Sequence, residues 1–134
     1  MNPNTIDAAL ESHLLTLANL PPIAWEDVSY KPVVNQAYLQ VNQLRNTPIE
    51  YGIANDIRED RGILQVTVVY PGGKGKVAAV ALASRVAEHF PIDLEIDLAT
   101  HQLSIQNHPS IHTGIPDEGW YRVPVSIPWQ TLPR

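Results

Sequence analysis

The sequence predicts an α+β domain with two helices packed on a mostly antiparallel sheet of about five strands. Two segments have the apolar period of amphipathic helices, several shorter ones alternate apolar and polar residues as half-buried strands do, and prolines or glycines separate them. The expected order is α-β-β-α-β-β-β. Because 134 residues suffice for one domain but not two, we expect a single domain over residues 1–134.

The helices are predicted at residues 5–19 and 76–90. The first helix has one apolar stripe, and a pair of prolines follows the segment. The stripe consists of Ile6, Leu10, Leu14 and Leu17. The second helix has an apolar face rich in alanine, which favours close packing on a sheet. That face consists of Ala79, Leu82, Ala83, Val86 and Phe90.

Alternating apolar and polar residues predict the five strands. They lie at residues 38–45, 63–70, 93–98, 102–106 and 120–129, after a short extended piece at 23–25. The fourth strand is expected to form a hairpin with the third. In the last strand, Pro124 and Pro128 have the same parity, so both missing N–H groups lie along one side. We expect that side to be unpaired or bulged. Residues 46–60 and 107–118 are predicted to be loops.

Composition and charge exclude several classes of protein. The net charge of −5 does not suit a free-standing nucleic-acid binder, which carries a concentrated basic excess. The sequence has no cysteine, which excludes disulfides, thiolate metal sites and a cysteine nucleophile. No apolar run approaches the ~20 residues that cross a bilayer, and no signal-peptide pattern is present. We therefore expect a soluble cytoplasmic protein with no membrane partner.

Residues 72–76 join a predicted strand to a predicted helix, as a phosphate-binding loop does. That motif needs a glycine five positions before the final Gly-Lys and a Ser or Thr after it. Tyr70 and Val77 occupy those positions, so the sequence favours an ordinary flexible turn. Lys74 and Lys76 still place positive charge at a helix N-terminus, where they can hold an anionic group of a partner.

Asp93, Glu95 and Asp97 alternate along a predicted strand and therefore share one face. Such carboxylates can act as acid and base or hold magnesium, but a solvated acidic face is commoner. His108 and His112 have a metal-compatible spacing only in a helix, which the surrounding prolines disfavour. No serine has the setting of a nucleophile. The sequence thus predicts no catalytic residue, no cofactor and no metal site.

Four segments at residues 22–26, 61–75, 82–90 and 119–129 resemble, in order, the phage and prophage tail terminator-like (tail completion) proteins. The resemblance covers nearly the whole chain. It implies a homo-hexameric ring that caps the head-proximal end of a tail tube. Such a ring ends tube polymerisation and presents the surface that joins the head–tail connector protein, while DNA passes through without specific binding. It also implies a non-enzymatic protein that assembles in the host cytoplasm and ends in the virion tail.

Within that resemblance, the 46–60 segment is the first candidate for contact with a neighbouring subunit or the tail tube protein, because of its length and charge. The two lysines of residues 72–76 are the second, facing the acidic strand of a neighbour. The candidate interface residues are Arg58, Glu59, Asp60, Arg61, Lys74, Lys76, Asp93, Glu95 and Asp97.

Three alternatives remain open. A head–tail connector or stopper protein would share the size, acidity and ring habit. A small metal- or ligand-binding enzyme domain would use the acidic strand face with the histidines of residues 101–112. An oligomerising domain without a phage role is the third. Metal or ligand affinity in a monomer would favour the enzyme domain, whereas ring assembly without such affinity would favour the tail terminator.

Overall fold

The computed structural model describes residues 2–51 and 57–133 and contains two helices, α1 (Pro3–Leu15) and α2 (Val77–Glu88). The strands of the described part are β1 (Ile23–Ala24), β2 (Tyr38–Arg45), β3 (Ile49–Tyr51), β4 (Ile57–Glu59), β5 (Arg61–Pro71), β6 (Glu95–Asp97), β7 (His101–Ser104), β8 (Ser110–Ile111), β9 (Ile115–Asp117) and β10 (Trp120–Pro133).

Eight of these strands form one mixed sheet. Its order is β1-β2-β5-β10-β7-β6, and β8 and β9 also pair with β10. β1 runs parallel to β2, whereas the other pairs are antiparallel. β3 and β4 form a separate antiparallel hairpin. The prediction of an antiparallel sheet of about five strands in the order α-β-β-α-β-β-β is therefore wrong, because the sheet is mixed and has eight strands, although the two helices and the α+β class agree.

The missed strands are short, which explains the error. β1 and β8 have two residues each, and β3, β4 and β9 have three. Alternation over so few positions does not distinguish a strand from a loop. Consequently, the two segments predicted to be loops, 46–60 and 107–118, contain β3 with β4 and β8 with β9. β3 pairs with β4, and β8 and β9 both pair with β10.

The longer elements lie close to their predicted positions. β2 has the predicted bounds, and β6 and β7 form the predicted hairpin with Ile96 opposite Leu103. α1 begins earlier than predicted because the Asn2 side chain caps it, accepting a hydrogen bond from the Asn4 N–H at 2.9 Å. It also ends earlier, at Leu15, where the Thr16 hydroxyl donates to the His13 carbonyl at 2.6 Å.

β10 pairs with β5 on one side over residues 120–130, but its other side is divided among three short strands. β9 pairs with residues 120–122, β8 with 125–126 and β7 with 130–133. Pro124 and Pro128 fall in the two gaps. The Pro124 carbonyl accepts a hydrogen bond from the His112 N–H at 2.9 Å, so its missing N–H lies on this divided side. The prolines thus interrupt one side of β10, although that side is not unpaired.

Both helices cover one face of the sheet. The buried stripe of α1 (Ile6, Leu10 and Leu14) and the buried face of α2 join the apolar residues of the central strands in a single core. At their C-terminal ends the helices meet through His13 and His89, whose rings stack at 4.4 Å. The Nε2 atom of each ring lies within 2.8 Å of the other residue's carbonyl oxygen.

Gly62 has no room for a side chain, which gives the first prediction. A Cβ there would lie 2.5 Å from the Leu44 carbonyl oxygen and 2.8 Å from the Trp129 indole. Gly62→Ala should therefore lower the free energy of unfolding by about 2–3 kcal/mol in urea titrations. Gly73→Ala is the control, because its Cβ meets nothing within 4 Å and only its φ of 79° costs about 1 kcal/mol. A smaller loss at Gly62 than at Gly73 would contradict this packing.

Candidate functional site

The first candidate interface residues, 58–61, run from β4 into the start of β5, and the structure divides them by burial. The Glu59 and Asp60 side chains are only 6% and 8% exposed. At the base of the hairpin, the Thr131 N–H donates to the Asp60 carbonyl at 2.8 Å. Arg61 is exposed, and the side chain of Arg58 lies outside the described residues. The Asp60 backbone therefore joins the base of the hairpin to β10, the Glu59 and Asp60 residues are buried, and Arg61 is exposed.

Residues 72–76, here called the lysine loop, connect β5 to α2. Gly73 and Gly75 both have a φ of 79°, a conformation that favours glycine. Lys74 and Lys76 are exposed, and Lys76 occupies the N-cap position of α2 without a side-chain capping bond. Among the described residues neither lysine has an ion-pair partner. The loop thus presents two positive charges at an uncapped helix N-terminus, where the helix dipole does not stabilise them.

The acidic strand face lies at the opposite edge of the sheet from β1. Glu95 and Asp97 are exposed on one face of β6, and the Gln102 side-chain amide donates to Glu95 Oε2 at 2.9 Å. Asp93 is exposed in the turn before β6, with a φ of 71°. The structure therefore places two of the three carboxylates on the strand itself and the third just ahead of it.

The histidines do not form a metal centre with these carboxylates. In the part of the chain that is described, no group of three or more His, Asp or Glu side chains is arranged to hold a metal ion. His101 and His112 instead lie near single hydroxyls, with His101 Nδ1 2.8 Å from Thr100 Oγ1 and His112 Nε2 2.8 Å from Ser126 Oγ. Across residues 2–51 and 57–133, no helix has the length and apolar character needed to cross a bilayer.

A second charged region, not predicted from the sequence, lies between α1 and the outer edge of β2. We call it the acidic notch. Its carboxylates are Asp7 and Glu11, one turn apart on α1, and Glu26, which accepts a hydrogen bond from the Gln43 N–H. Arg45, two residues along β2, donates to Asp7. These side chains surround a concave site of about 390 Å³ that Trp25 also lines.

The notch holds more negative charge than its single cation neutralises. Burial raises the pKa of Asp7, and the nearby Glu26 raises it further, whereas Arg45 lowers it. Burial also raises the pKa of Glu11, with contributions from Asp7 and Glu26 in the same direction; a hydrogen bond from Gln43 opposes them. Three carboxylates thus face one guanidinium, and burial disfavours the ionised forms of Asp7 and Glu11.

Gln43, whose backbone N–H donates to Glu26, lies beside the notch but does not line it. Its side chain is 9% exposed and approaches Glu11, yet its amide nitrogen and oxygen both lack a well-aligned partner. Asp7 Oδ1 is likewise buried without a partner. One signal in the sequence could have revealed this region. In β2, alternate residues share one face, and Leu39 and Val41 place the core-facing side chains at odd positions. The next two odd positions are polar, Gln43 and Arg45.

The chain resembles known proteins in sequence and in fold. The sequence matches the family model described as phage tail terminator protein over residues 5–129. A chain of known structure aligns with a TM-score of 0.79 and 24% identity, covering 98% of this chain and 96% of its own length. At that identity the likeness concerns the fold alone. No curated protein matches the sequence.

The notch generates a prediction about stability and pH. Because burial raises the pKa of Glu11 above its ordinary 4.5, the Glu11 carboxyl binds a proton more tightly in the folded state than in the unfolded state. Ionisation of the Glu11 carboxyl therefore lowers the free energy of unfolding at neutral pH. This loss of stability shrinks as the pH falls through the pKa of the folded state, and it is absent below the pKa of the unfolded state. Glu11→Gln should stabilise the monomer at pH 7 by less than about 1 kcal/mol, since solvent screens a partly exposed group.

The measurement is urea unfolding of dilute protein between pH 4 and pH 7.5. The advantage of Glu11→Gln should shrink towards pH 4 as the wild-type carboxyl becomes protonated. Glu118→Gln, at an exposed position in the turn between β9 and β10, is the matched control and should have no effect. A stability advantage that is constant with pH would show that Glu11 acts through packing rather than charge.

Proposed function

Because the chain belongs to the phage tail terminator protein family, we propose that it forms a ring on the head-proximal end of a phage tail tube. The ring ends tube polymerisation and presents the surface that the head–tail connector protein binds. The match over residues 5–129 is the observation that carries this proposal. As a family member the chain is a structural component of the virion tail; its assembly in the host cytoplasm before incorporation is part of the proposal.

The charge of the chain supports passage of DNA through such a ring. A ring that DNA must traverse should make few phosphate contacts, because each one neutralised by a lysine or arginine adds affinity and slows transit. The net charge is −5, with nine basic and fourteen acidic residues. The protein therefore has no overall basic excess that would hold the DNA.

Ring closure needs two different patches on each subunit, since a closed ring of more than two subunits uses heterologous contacts. Arg58 in β4 and Arg61 at the start of β5 are the candidates for contact with a neighbour or with the tail tube protein, and the two residues between them, Glu59 and Asp60, are buried. The lysine loop is the second basic patch. The acidic residues Asp93, Glu95 and Asp97 provide one surface that such a patch can meet.

Native mass spectrometry over a concentration series, with negative-stain images of the same sample, tests this proposal. Each sample is measured alone and with purified tail tubes, since the tube can act as template. We expect a discrete six-subunit species seen as rings, or rings at one end of each tube. A protein that stays monomeric and does not bind tubes would contradict the proposal.

Charge reversal tests the basic patches individually. Arg58→Glu and Lys74→Glu should each weaken ring assembly by about tenfold at low salt, and the effect should fall as salt screens the charges. Lys31→Glu is the matched control, because it changes the net charge equally at an exposed residue in the segment between β1 and β2. Assembly that is unchanged by reversal at Arg58 or at Lys74 would remove that residue from the interface.

A further inference from the structure

A small cleft, here called the apolar cleft, lies beside the lysine loop at the end of the sheet where β10 begins. Pro116, Trp120 and Tyr121 line it together with Lys76 and three glycines of the loop, and its volume is about 250 Å³. A Cβ on either loop glycine with a positive φ would meet nothing within 4 Å, so the loop backbone borders open space. The apolar cleft can therefore accept an aliphatic side chain from outside.

The surroundings of the apolar cleft are exposed and positively charged. Val77 and Ile115, which adjoin its lining residues in sequence, are 79% and 57% exposed. Lys74 and Lys76 are also exposed, and the described residues give neither an ion-pair partner. The exposed Glu118 of the adjoining turn offsets only one of these two charges. Apolar surface with a charged rim is typical of a protein–protein contact.

A complementary patch lies at the turn before β6. Ile92, in that turn, is 38% exposed and comes directly before Asp93, the first residue of the acidic strand face. The Asp93 N–H donates to the Ile105 carbonyl at 2.8 Å, which ties the turn to the chain after β7. This patch therefore combines an exposed aliphatic side chain with three carboxylates, as the apolar cleft combines aromatic walls with two lysines.

We propose that the apolar cleft receives Ile92 of a neighbouring copy of this chain, while the acidic strand face of that copy meets the lysine loop. The proposal rests on the proposed function, because it names a contact between successive subunits of the ring. It adds an apolar anchor to the pairing of opposite charges.

Position in the fold excludes the same contact within one chain. The lysine loop precedes α2, and Ile92 lies beyond the other end of that helix. At 1.5 Å per residue the twelve residues of α2 span about 18 Å, farther than a side chain extends. A contact between the two patches must therefore join two copies. Because the patches differ, the contact is heterologous, as ring closure requires.

The apolar part of the contact supplies most of its strength. The carboxylates of Glu95 and Asp97 are exposed, and solvated ion pairs contribute little to binding. Side chains that fill well-packed pockets near the centre of an interface contribute most. Ile92 in the apolar cleft therefore supplies affinity, and the charges around it select the orientation of the two copies.

Charge exchange between two chains tests the contact. One chain carries Lys74→Glu with Lys76→Glu, and the other carries Glu95→Lys with Asp97→Lys. Neither chain should form rings alone, because like charges meet at every contact. An equimolar mixture should form rings, since the two chains can alternate around a ring of six and every contact then joins opposite charges. Mixing would not restore a chain that had misfolded.

Ile92→Ser tests the apolar anchor. It should weaken ring assembly by about tenfold, and the loss should persist at high salt, which screens charges but not apolar contacts. Val34→Ser is the matched control, because Val34 is 83% exposed in the segment between β1 and β2, and it should leave assembly unchanged. Native mass spectrometry over a concentration series measures assembly, and urea unfolding of dilute protein checks that both variants fold.

The outcomes separate this contact from the proposed function. If the wild type forms rings, then rings of equal strength with Ile92→Ser, or a mixture of the two charge-exchanged chains without rings, would overturn the contact and leave the proposed function standing. Lysine reversal that preserves rings but prevents binding to tail tubes would assign the loop to the tube protein and also overturn the contact. If the wild type forms no rings with or without tubes, the proposed function falls together with the contact.

Discussion

Eleven consecutive residue pairs join β10 to β5, and this ladder positions nearly everything else in the molecule. Its inward side chains, among them Val66, Val68, Val123 and Val125, are fully buried beneath the helices. β2 extends the ladder on one side, and three short strands extend it on the other. The length of β5 separates the lysine loop from the β3–β4 hairpin and the acidic notch. The hairpin and the notch lie near the start of β5, and the lysine loop follows its end.

Much of this framework could be predicted from the sequence. A helix or strand that is buried on one face has apolar residues at regular intervals, and these intervals are visible in the sequence. The alternation of Val123, Val125 and Ile127 predicts the central strand, and the alanines of residues 76–90 predict a helix close to a sheet. The short strands could not be found in this way. β8 and β9 are short because the prolines of β10 interrupt pairing on that side, and a two- or three-residue strand has no period of its own.

The candidate site was less accessible to sequence reasoning, because its charge balance depends on elements that are distant in sequence. Asp7, Glu26 and Arg45 come from a helix, a loop and a strand. Burial of several carboxylates near one arginine is costly in a monomer. Conversely, the charge of Glu59 and Asp60 predicts that they are exposed for contact with a partner, whereas the fold buries them at the base of the hairpin.

The central claim is that this protein stops the growth of a tail tube, and tube length measures that most directly. Purified tube protein would be polymerised with and without the chain, which would carry a gold label visible by electron microscopy. The account predicts tubes that stop lengthening after the chain is added, each with label at one end only. Unchanged growth, or label distributed along the tube wall, would contradict it.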